Sequence, residues 1–217
     1  MSRRRTLVLG ILILAAVATA SAAQAQMPRE WELTAFGGGF LAGDIYSSGN
    51  ATIQVDDTWT YGARIGTNLS PTFGLEASYA RASSDLSIRG FADYDGAVGT
   101  VTFDQVDLNG NFGSGFYRQA YGYFTLGIGM TILTPHAADV NTDTNTRFST
   151  NIGLGLKYFM SPKLGLRLDG RYRLTDTNIS TDDYVYCDPY YGCYSYYSTW
   201  YDSGEITAGL VYKLGAK

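Results

Sequence analysis

The ten residues from Leu164 to Arg173, with the sequence LGLRLDGRYR, alternate between apolar and charged side chains. The even-numbered positions, called the apolar parity of this segment, contain Leu164, Leu166, Leu168 and Tyr172. The charged parity contains Arg167, Asp169, Arg171 and Arg173. Because successive side chains of a strand point to opposite faces, this pattern predicts a strand with one apolar and one charged face. Such a strand fits a soluble sheet that covers a core, or a membrane barrel that turns its apolar face to lipid and its charges inward.

The N-terminus has the three parts of a secretory signal. Arg3, Arg4 and Arg5 precede an apolar run, and small residues follow up to Ala23-Gln24-Ala25. The apolar run is shorter than the roughly 20 residues that a membrane helix needs. We therefore expect residues 1–25 to be a cleaved signal peptide and residues 26–217 to form one exported domain.

The remainder of the chain predicts eight strands of roughly 9–11 residues, the length that crosses a bilayer at the usual tilt of a barrel strand. Alternating segments lie at 31–40, 61–69, 73–79, 106–112, 119–128, 150–158, 164–173 and 205–214. Their connections alternate strictly between long and short, and the long ones are polar, at about 42–57, 83–96, 131–145 and 174–204. A bacterial membrane barrel has short periplasmic turns and long external loops. The pattern thus favours an all-β, eight-stranded antiparallel up-and-down transmembrane β-barrel over a soluble sandwich.

The resulting pattern resembles the small outer-membrane barrels of the OmpA transmembrane domain and OmpX type. The resemblance covers residues 31–214 and is closest at 151–158, 164–172 and 206–214. It implies insertion into the outer membrane of a Gram-negative bacterium, with lipid and lipopolysaccharide as neighbours. Cleavage of the signal would remove three arginines and no acidic residue. The mature chain would then have 13 basic and 20 acidic residues, a net charge of −7. That charge argues against nucleic acid as a partner.

Charged residues at the inward parity predict a lumen charge network. Its members are Arg64, Glu76, Asp107, Lys157, Arg167, Asp169, Arg171, Glu205 and Lys213. Eight strands leave just enough interior room for side chains, and unpaired buried charge is costly. The network is therefore interpreted as a rigid polar plug, with a narrow ion path along Arg167, Arg171 and Lys157 as the alternative.

The fourth long connection is rich in aromatic residues. We predict that it forms a contact surface of Tyr184, Tyr186, Tyr190, Tyr191, Tyr194, Tyr196, Tyr197, Trp200 and Tyr201. Tyrosine-rich surfaces offer large contact area at low entropic cost, as in antibody loops. The alternative is a hairpin that merely extends the last two strands beyond the membrane. Cys187 and Cys193 lie in the same connection, and export to an oxidising compartment predicts a disulfide between them rather than a metal site.

Catalysis is not expected, and neither a metal nor another cofactor is expected. The only histidine, His136, is followed two residues later by Ala138, where the deacylase-type barrels have a serine. A general base needs a nucleophile within hydrogen-bond reach, and the sequence signals none. The sequence therefore predicts a structural and surface-interaction role, as in adhesion or recognition of a host or cell surface through the external loops. The alternative is a narrow porin-like channel or carrier for small or apolar solutes.

Overall fold

The computed structural model describes residues 30–48, 51–91, 94–117, 119–136, 144–176, 186–188, 192–194 and 200–214. It contains twelve strands: β1 (Trp31–Ala42), β2 (Asp44–Ser48), β3 (Ala51–Val55), β4 (Thr58–Asn68), β5 (Phe73–Phe91), β6 (Tyr94–Tyr117), β7 (Ala120–His136), β8 (Asn145–Phe159), β9 (Leu164–Asp176), β10 (Tyr186–Asp188), β11 (Gly192–Tyr194) and β12 (Trp200–Leu214). In these ranges there is no helix of the length and apolar character needed to cross a bilayer.

Eight strands close into an antiparallel barrel, in the order β1-β4-β5-β6-β7-β8-β9-β12 and back to β1. The closing pair aligns Trp31 with Leu214 and Ala42 with Ser203. Closure removes the open sheet edges, so the strands satisfy one another's backbone groups. The predicted eight-stranded antiparallel barrel is confirmed.

The apolar parity of each strand faces outward. Large apolar side chains are about half exposed on every side of the barrel, from Leu108 (55%) and Ile128 (57%) to Ile206 (65%). The opposite parity is buried and mostly polar. The charges of the segment at 164–173 therefore lie inside, while its leucines form part of a lipid-facing belt, which is the reverse of a soluble sheet.

The strands differ in length far more than the alternation predicts. β4 has 11 residues, whereas β5 has 19 and β6 has 24. Polarity predicts a loop at 83–96, but β5 and β6 continue as a paired hairpin up to Phe91 and Tyr94. The segment predicted as the loop 42–57 contains the β2–β3 hairpin, and β3 pairs with the upper part of β5. Polar residues can form these strands because pairing between strands uses backbone groups and does not require an apolar face.

The remaining predictions about the chain ends concern residues outside the described ranges. The expected signal peptide, residues 1–25, is among them.

The periplasmic turns are as short as predicted. In one of them the Ser70 hydroxyl accepts a hydrogen bond from the backbone N–H of Phe73, and in another the Ser161 hydroxyl accepts one from the backbone N–H of Leu164. The described lumen, between these turns and the external hairpins, is where the candidate site lies.

Candidate functional site

The predicted network residues all come from the inward parity, and eight of the nine are buried to 6% exposure or less. These eight are Arg64, Glu76, Asp107, Lys157, Arg167, Asp169, Arg171 and Glu205. Lys213 lies at the periplasmic mouth instead, where its Nζ atom is 3.0 Å from Glu30 Oε2 and lies over the Phe159 ring at 4.2 Å.

Two acids and three arginines form the centre of the lumen. Arg167 donates to Glu76 at 2.5 Å, and Arg171 donates to the other oxygen of Glu76 at 2.8 Å. Arg64 Nη1 donates to Asp169 at 2.6 Å, and Arg167 Nε donates to the same carboxylate at 2.9 Å. The cluster joins β4, β5 and β9 across the barrel. Each carboxylate thus neutralises more than one guanidinium, as buried charges require.

One aromatic ring supports this cluster from β7. Tyr123 donates a hydrogen bond to Asp169, and Arg167 lies over its ring at 5.0 Å. Tyr123 is opposite Gly113 on one neighbouring strand and Gly155 on the other. A Cβ atom at Gly155 would lie 2.1 Å from the ring, so the glycine leaves the space that the tyrosine side chain crosses.

A second ring repeats the arrangement on β1. Phe36 lies 3.8 Å below the guanidinium of Arg64, a cation–π contact. Its two register partners are Gly62 and Gly209, and a Cβ atom at either would come within 3 Å of the Phe36 side chain. Small residues on both neighbouring strands therefore position an aromatic ring under an arginine at two places in the lumen.

Further ion pairs lie on either side of the centre. Towards the outside, Arg173 donates to both oxygens of Asp107, at 2.5 and 2.8 Å, and lies 3.7 Å from Glu205. Towards the periplasm, Lys157 pairs with Glu32, close to the rings of two tyrosines. The lumen is thus crossed by charge pairs along most of the belt.

Sequence reasoning omitted Glu32 and Arg173 from the network. Both are buried, at 4% and 2% exposure, and both lie on the inward parity of their strands. The alternation was the available signal: Glu32 stands between Trp31 and Leu33, which face lipid. With these two included, the buried charges of the described barrel balance. The basic members are Arg64, Lys157, Arg167, Arg171 and Arg173, and the acidic members are Glu32, Glu76, Asp107, Asp169 and Glu205.

An apolar cap fills the lumen at its extracellular end. It consists of Phe40, Val55, Ala82, Val101, Phe103 and Tyr201, with Ala42 and Leu133 packed against it. The Phe40 and Phe103 ring centroids are 5.2 Å apart, and the Tyr201 ring is stacked on Phe103 at 6.0 Å. Apolar side chains at the inward parity were not foreseen, because the alternation predicts polar residues there.

Tyr201 was predicted as part of the external contact surface, and that assignment is wrong. It belongs to β12 and is only 6% exposed, because its parity turns it into the cap. Trp200 precedes it, faces outward and is 49% exposed. Tyr186 and Tyr194 lie opposite each other in the β10–β11 pair, where only the backbone is described. The other predicted contact residues lie outside the described ranges: Tyr184, Tyr190, Tyr191, Tyr196 and Tyr197.

The backbone register of the β10–β11 hairpin aligns Cys187 directly with Cys193. This register is compatible with the expected disulfide, which stays a prediction. The only histidine, His136, ends β7 and is exposed. The absence of catalysis also stays an expectation.

A closed barrel with an apolar exterior and a charge-paired interior defines an integral outer-membrane protein. The chain belongs to the outer membrane protein beta-barrel domain family, which residues 11–213 match. Its location is the outer membrane of a Gram-negative bacterium. No curated protein sequence matches the chain significantly.

Solved structures share the fold at low sequence identity. Neisserial surface protein A is 12% identical with a TM-score of 0.58, over 85% of this chain and 97% of that one. OprG from Pseudomonas aeruginosa is 12% identical with a TM-score of 0.56, over 86% and 97%. Ail of Yersinia pestis, solved with the heparin analogue sucrose octasulfate, is 12% identical with a TM-score of 0.52, over 87% and 100%.

Proposed function

We propose that this barrel is a non-enzymatic membrane anchor whose external hairpins make its functional contacts. The observation that supports this most is the filled lumen. Charge-paired side chains occupy the lumen at the level of the lipid-facing belt, and an apolar cap occupies the extracellular end of the lumen. A barrel of eight strands has little interior room beyond its side chains. The surfaces available to a partner are therefore on the outside.

The hairpin that carries Tyr186, Cys187, Cys193 and Tyr194 is the proposed contact surface. Its aromatic composition suits adhesion to a host or neighbouring cell. The described extracellular rim has an excess of acids: Asp56, Asp57, Asp85, Asp104, Asp176 and Asp202 outnumber Arg81, Arg89 and Arg147. That acidic character disfavours a polyanionic ligand such as the heparin analogue bound to Ail, and it suits divalent ions that bridge to lipopolysaccharide.

Adhesion of bacteria that express the protein tests the proposal. Residues 184–199 are replaced by a short Gly-Ser turn, which retains Tyr201 and the cap. We expect normal assembly and loss of binding to host-cell monolayers. The matched control replaces residues 137–143 of another connection and should bind as the wild type does. Unchanged adhesion after the 184–199 replacement contradicts the proposal.

A second candidate function is a narrow path for ions or small solutes. Several buried polar atoms have no hydrogen-bond partner in the described structure. The residues that carry them lie on two adjacent rows, each row being the residues that strand pairing aligns side by side across β6, β7, β8, β9 and β12. These residues are Asn109, Asn111, Thr125, Asn151, Arg171, Arg173, Ser203 and Glu205. Buried polar groups of this kind are commonly satisfied by water.

Ion efflux from liposomes distinguishes the two candidates. A channel predicts efflux through the wild type that falls in Arg171→Ala, because Arg171 was proposed to line the path. The plug predicts no efflux above empty liposomes. An Arg81→Ala variant, altered on the outside of the barrel, is the control.

A further inference from the structure

Most of the unpartnered buried polar atoms of the described lumen lie on the two rows that cross β7 at Thr125 and Gly127. Tyr123, the next inward residue of β7 towards the periplasm, supports the ionic centre. Leu133, further towards the outside, packs against the apolar cap. The residues that carry these atoms, called the polar cluster, are therefore enclosed between two filled regions of the lumen: Asn109, Asn111, Thr125, Asn151, Arg171, Arg173, Ser203 and Glu205.

Glycine forms the wall beside the polar cluster. Gly127 and Gly153 are inward positions of β7 and β8, where they leave space for the side chains of neighbouring strands. A Cβ atom at Gly127 would overlap with Oδ1 of Asn109 and Nδ2 of Asn151, so both amide groups extend over this glycine. These two asparagines are 0% and 4% exposed. Neither of the two atoms has a hydrogen-bond partner in the described structure, so the amides lie close together without satisfying each other.

The unpartnered atoms of the polar cluster include both donors and acceptors. The donors are Nδ2 of Asn151 and Nε of Arg171 and Arg173. The acceptors include Oδ1 of Asn109, Asn111 and Asn151. A cation would satisfy only the oxygen atoms, and an anion would satisfy only the N–H groups. Water both donates and accepts hydrogen bonds, so it matches the whole set.

The charge and the size of the lumen also favour water. The buried acids and bases of the described barrel already balance, so an ion of either sign would leave an uncompensated buried charge. A barrel of eight strands has little interior room beyond its side chains, which excludes a large neutral solute. Unsatisfied polar atoms are costly when buried, and a group of this size would offset much of the stability of a typical domain. The occupant that meets all three conditions is water.

We propose that the polar cluster is a binding site for a few ordered water molecules. They bridge the amides of Asn109 and Asn151 and link them to Nε of Arg171 and Arg173. Because the cap and the ionic centre enclose the site, this water is bound and does not form a path through the barrel. The inference rests on the closed lumen of the proposed anchor function, but a dry lumen would be equally closed. The two can therefore fail independently: ion efflux tests the closure, and contact with water tests the site.

Water–protein nuclear Overhauser effects in the mature wild-type protein test the site directly. The protein is placed in lipid nanodiscs, and we expect a cross-peak between water and the lumen-facing α-proton of Gly127. The control is the methyl group of Ala82, which is 2% exposed and as buried as the polar cluster but lies in the apolar cap. It should give no cross-peak. A Gly127 α-proton as free of water contact as the Ala82 methyl group contradicts the proposal.

Thr125→Val tests the site through stability, because valine has the shape of threonine but lacks the hydroxyl group. The Thr125 hydroxyl is fully buried and has no hydrogen-bond partner in the described structure. If water binds it, the substitution removes a hydrogen bond, and the urea midpoint for unfolding in lipid vesicles should fall. In a dry lumen the substitution would remove an unsatisfied polar atom and raise the midpoint.

The matched control is Thr207→Val. It removes the hydrogen bond that Arg64 donates to the buried Thr207 hydroxyl at 3.2 Å, so it should lower the midpoint whether or not water is bound. We expect Thr125→Val to lower the midpoint by a similar amount. A midpoint for Thr125→Val at or above that of the wild type contradicts the site.

Discussion

Two regions of one lumen are filled in different ways. At the level of the lipid-facing belt, Glu76 and Asp169 bind three arginines at distances of 2.5 to 2.9 Å, and the buried acids and bases of the described barrel balance in total. At the extracellular end, Phe40, Phe103 and Tyr201 pack through ring contacts with no charge among them. Both regions are almost fully buried.

The two regions should respond differently to single substitutions. Loss of one charge in the ionic region leaves its partners buried and unpaired, so the whole cluster is destabilised. Loss of one ring in the cap removes packing but leaves no unsatisfied charge. We therefore expect stability to depend more sharply on single residues in the ionic region.

The largest effect is expected from Glu76→Gln. Because Glu76 pairs with both Arg167 and Arg171, the substitution leaves excess positive charge at the centre and should cost about 3–5 kcal/mol of the free energy of unfolding. Urea unfolding of the protein in lipid vesicles measures this loss in the free energy of unfolding. The control is Glu30→Gln, which breaks the pair with Lys213 at the periplasmic rim and should cost less, because those two side chains keep some contact with water. Equal losses in the two variants would remove the distinction between the ionic region and an ordinary rim pair.

Phe103→Ala tests the cap. The lost contacts with Phe40 and Tyr201 should cost about 3 kcal/mol in the same unfolding assay. The ionic region below should stay paired, so the barrel should stay closed to ions. Phe148→Ala, which removes a half-exposed ring from the lipid face, is the comparison and should cost less. An open barrel after Phe103→Ala would show that the cap alone closes the lumen.

Gly155→Ala tests the support of the ionic region from β7. The new Cβ atom would lie 2.1 Å from the Tyr123 ring, so the ring must move away from Asp169. We expect a loss of about 1–3 kcal/mol, as for overpacked cores. Gly170→Ala is the matched control, because nothing lies within 4 Å of a Cβ atom there. A Gly155→Ala variant as stable as Gly170→Ala would contradict the proposed role of the glycine.

The smallest effect concerns an exposed pair above the belt. Hydrogen bonds from the Arg81 guanidinium lower the pKa of Asp104 below its usual value of 3.8. A lowered pKa in the folded state stabilises the fold above the pKa of the unfolded state, and this contribution disappears as pH falls through the folded value. The small difference in unfolding midpoint between wild type and Asp104→Asn at pH 7 should therefore shrink as the pH falls below the unfolded value of 3.8, and it should vanish once the pH is below the lowered folded pKa. A difference that grows on acidification would have the wrong sign.

Side-chain alternation was sufficient to predict the belt. In the segment at 164–173 it assigned Arg167, Asp169 and Arg171 to the lumen and the leucines to lipid, since a strand of period two has only two faces. It was not sufficient for the cap. Phe103 and Tyr201 are aromatic residues in a membrane protein, and composition alone does not distinguish an inward ring from an interfacial one.

The strand ends were the least predictable part of the fold. The alternation ends where the membrane ends, yet β5 and β6 continue to Phe91 and Tyr94 because backbone pairing does not require an apolar face. The partners within the lumen were equally hidden. Arg171 and Glu76 are 95 positions apart, and only the barrel closure brings them together.

Single-channel recording of the purified wild-type protein in a planar bilayer tests the central claim, that the lumen is filled. The paired charges of the belt and the apolar cap predict no steady conductance above the bare bilayer. A steady conductance through the wild type that Arg171→Ala abolishes would contradict this account and show that ions pass along the arginines.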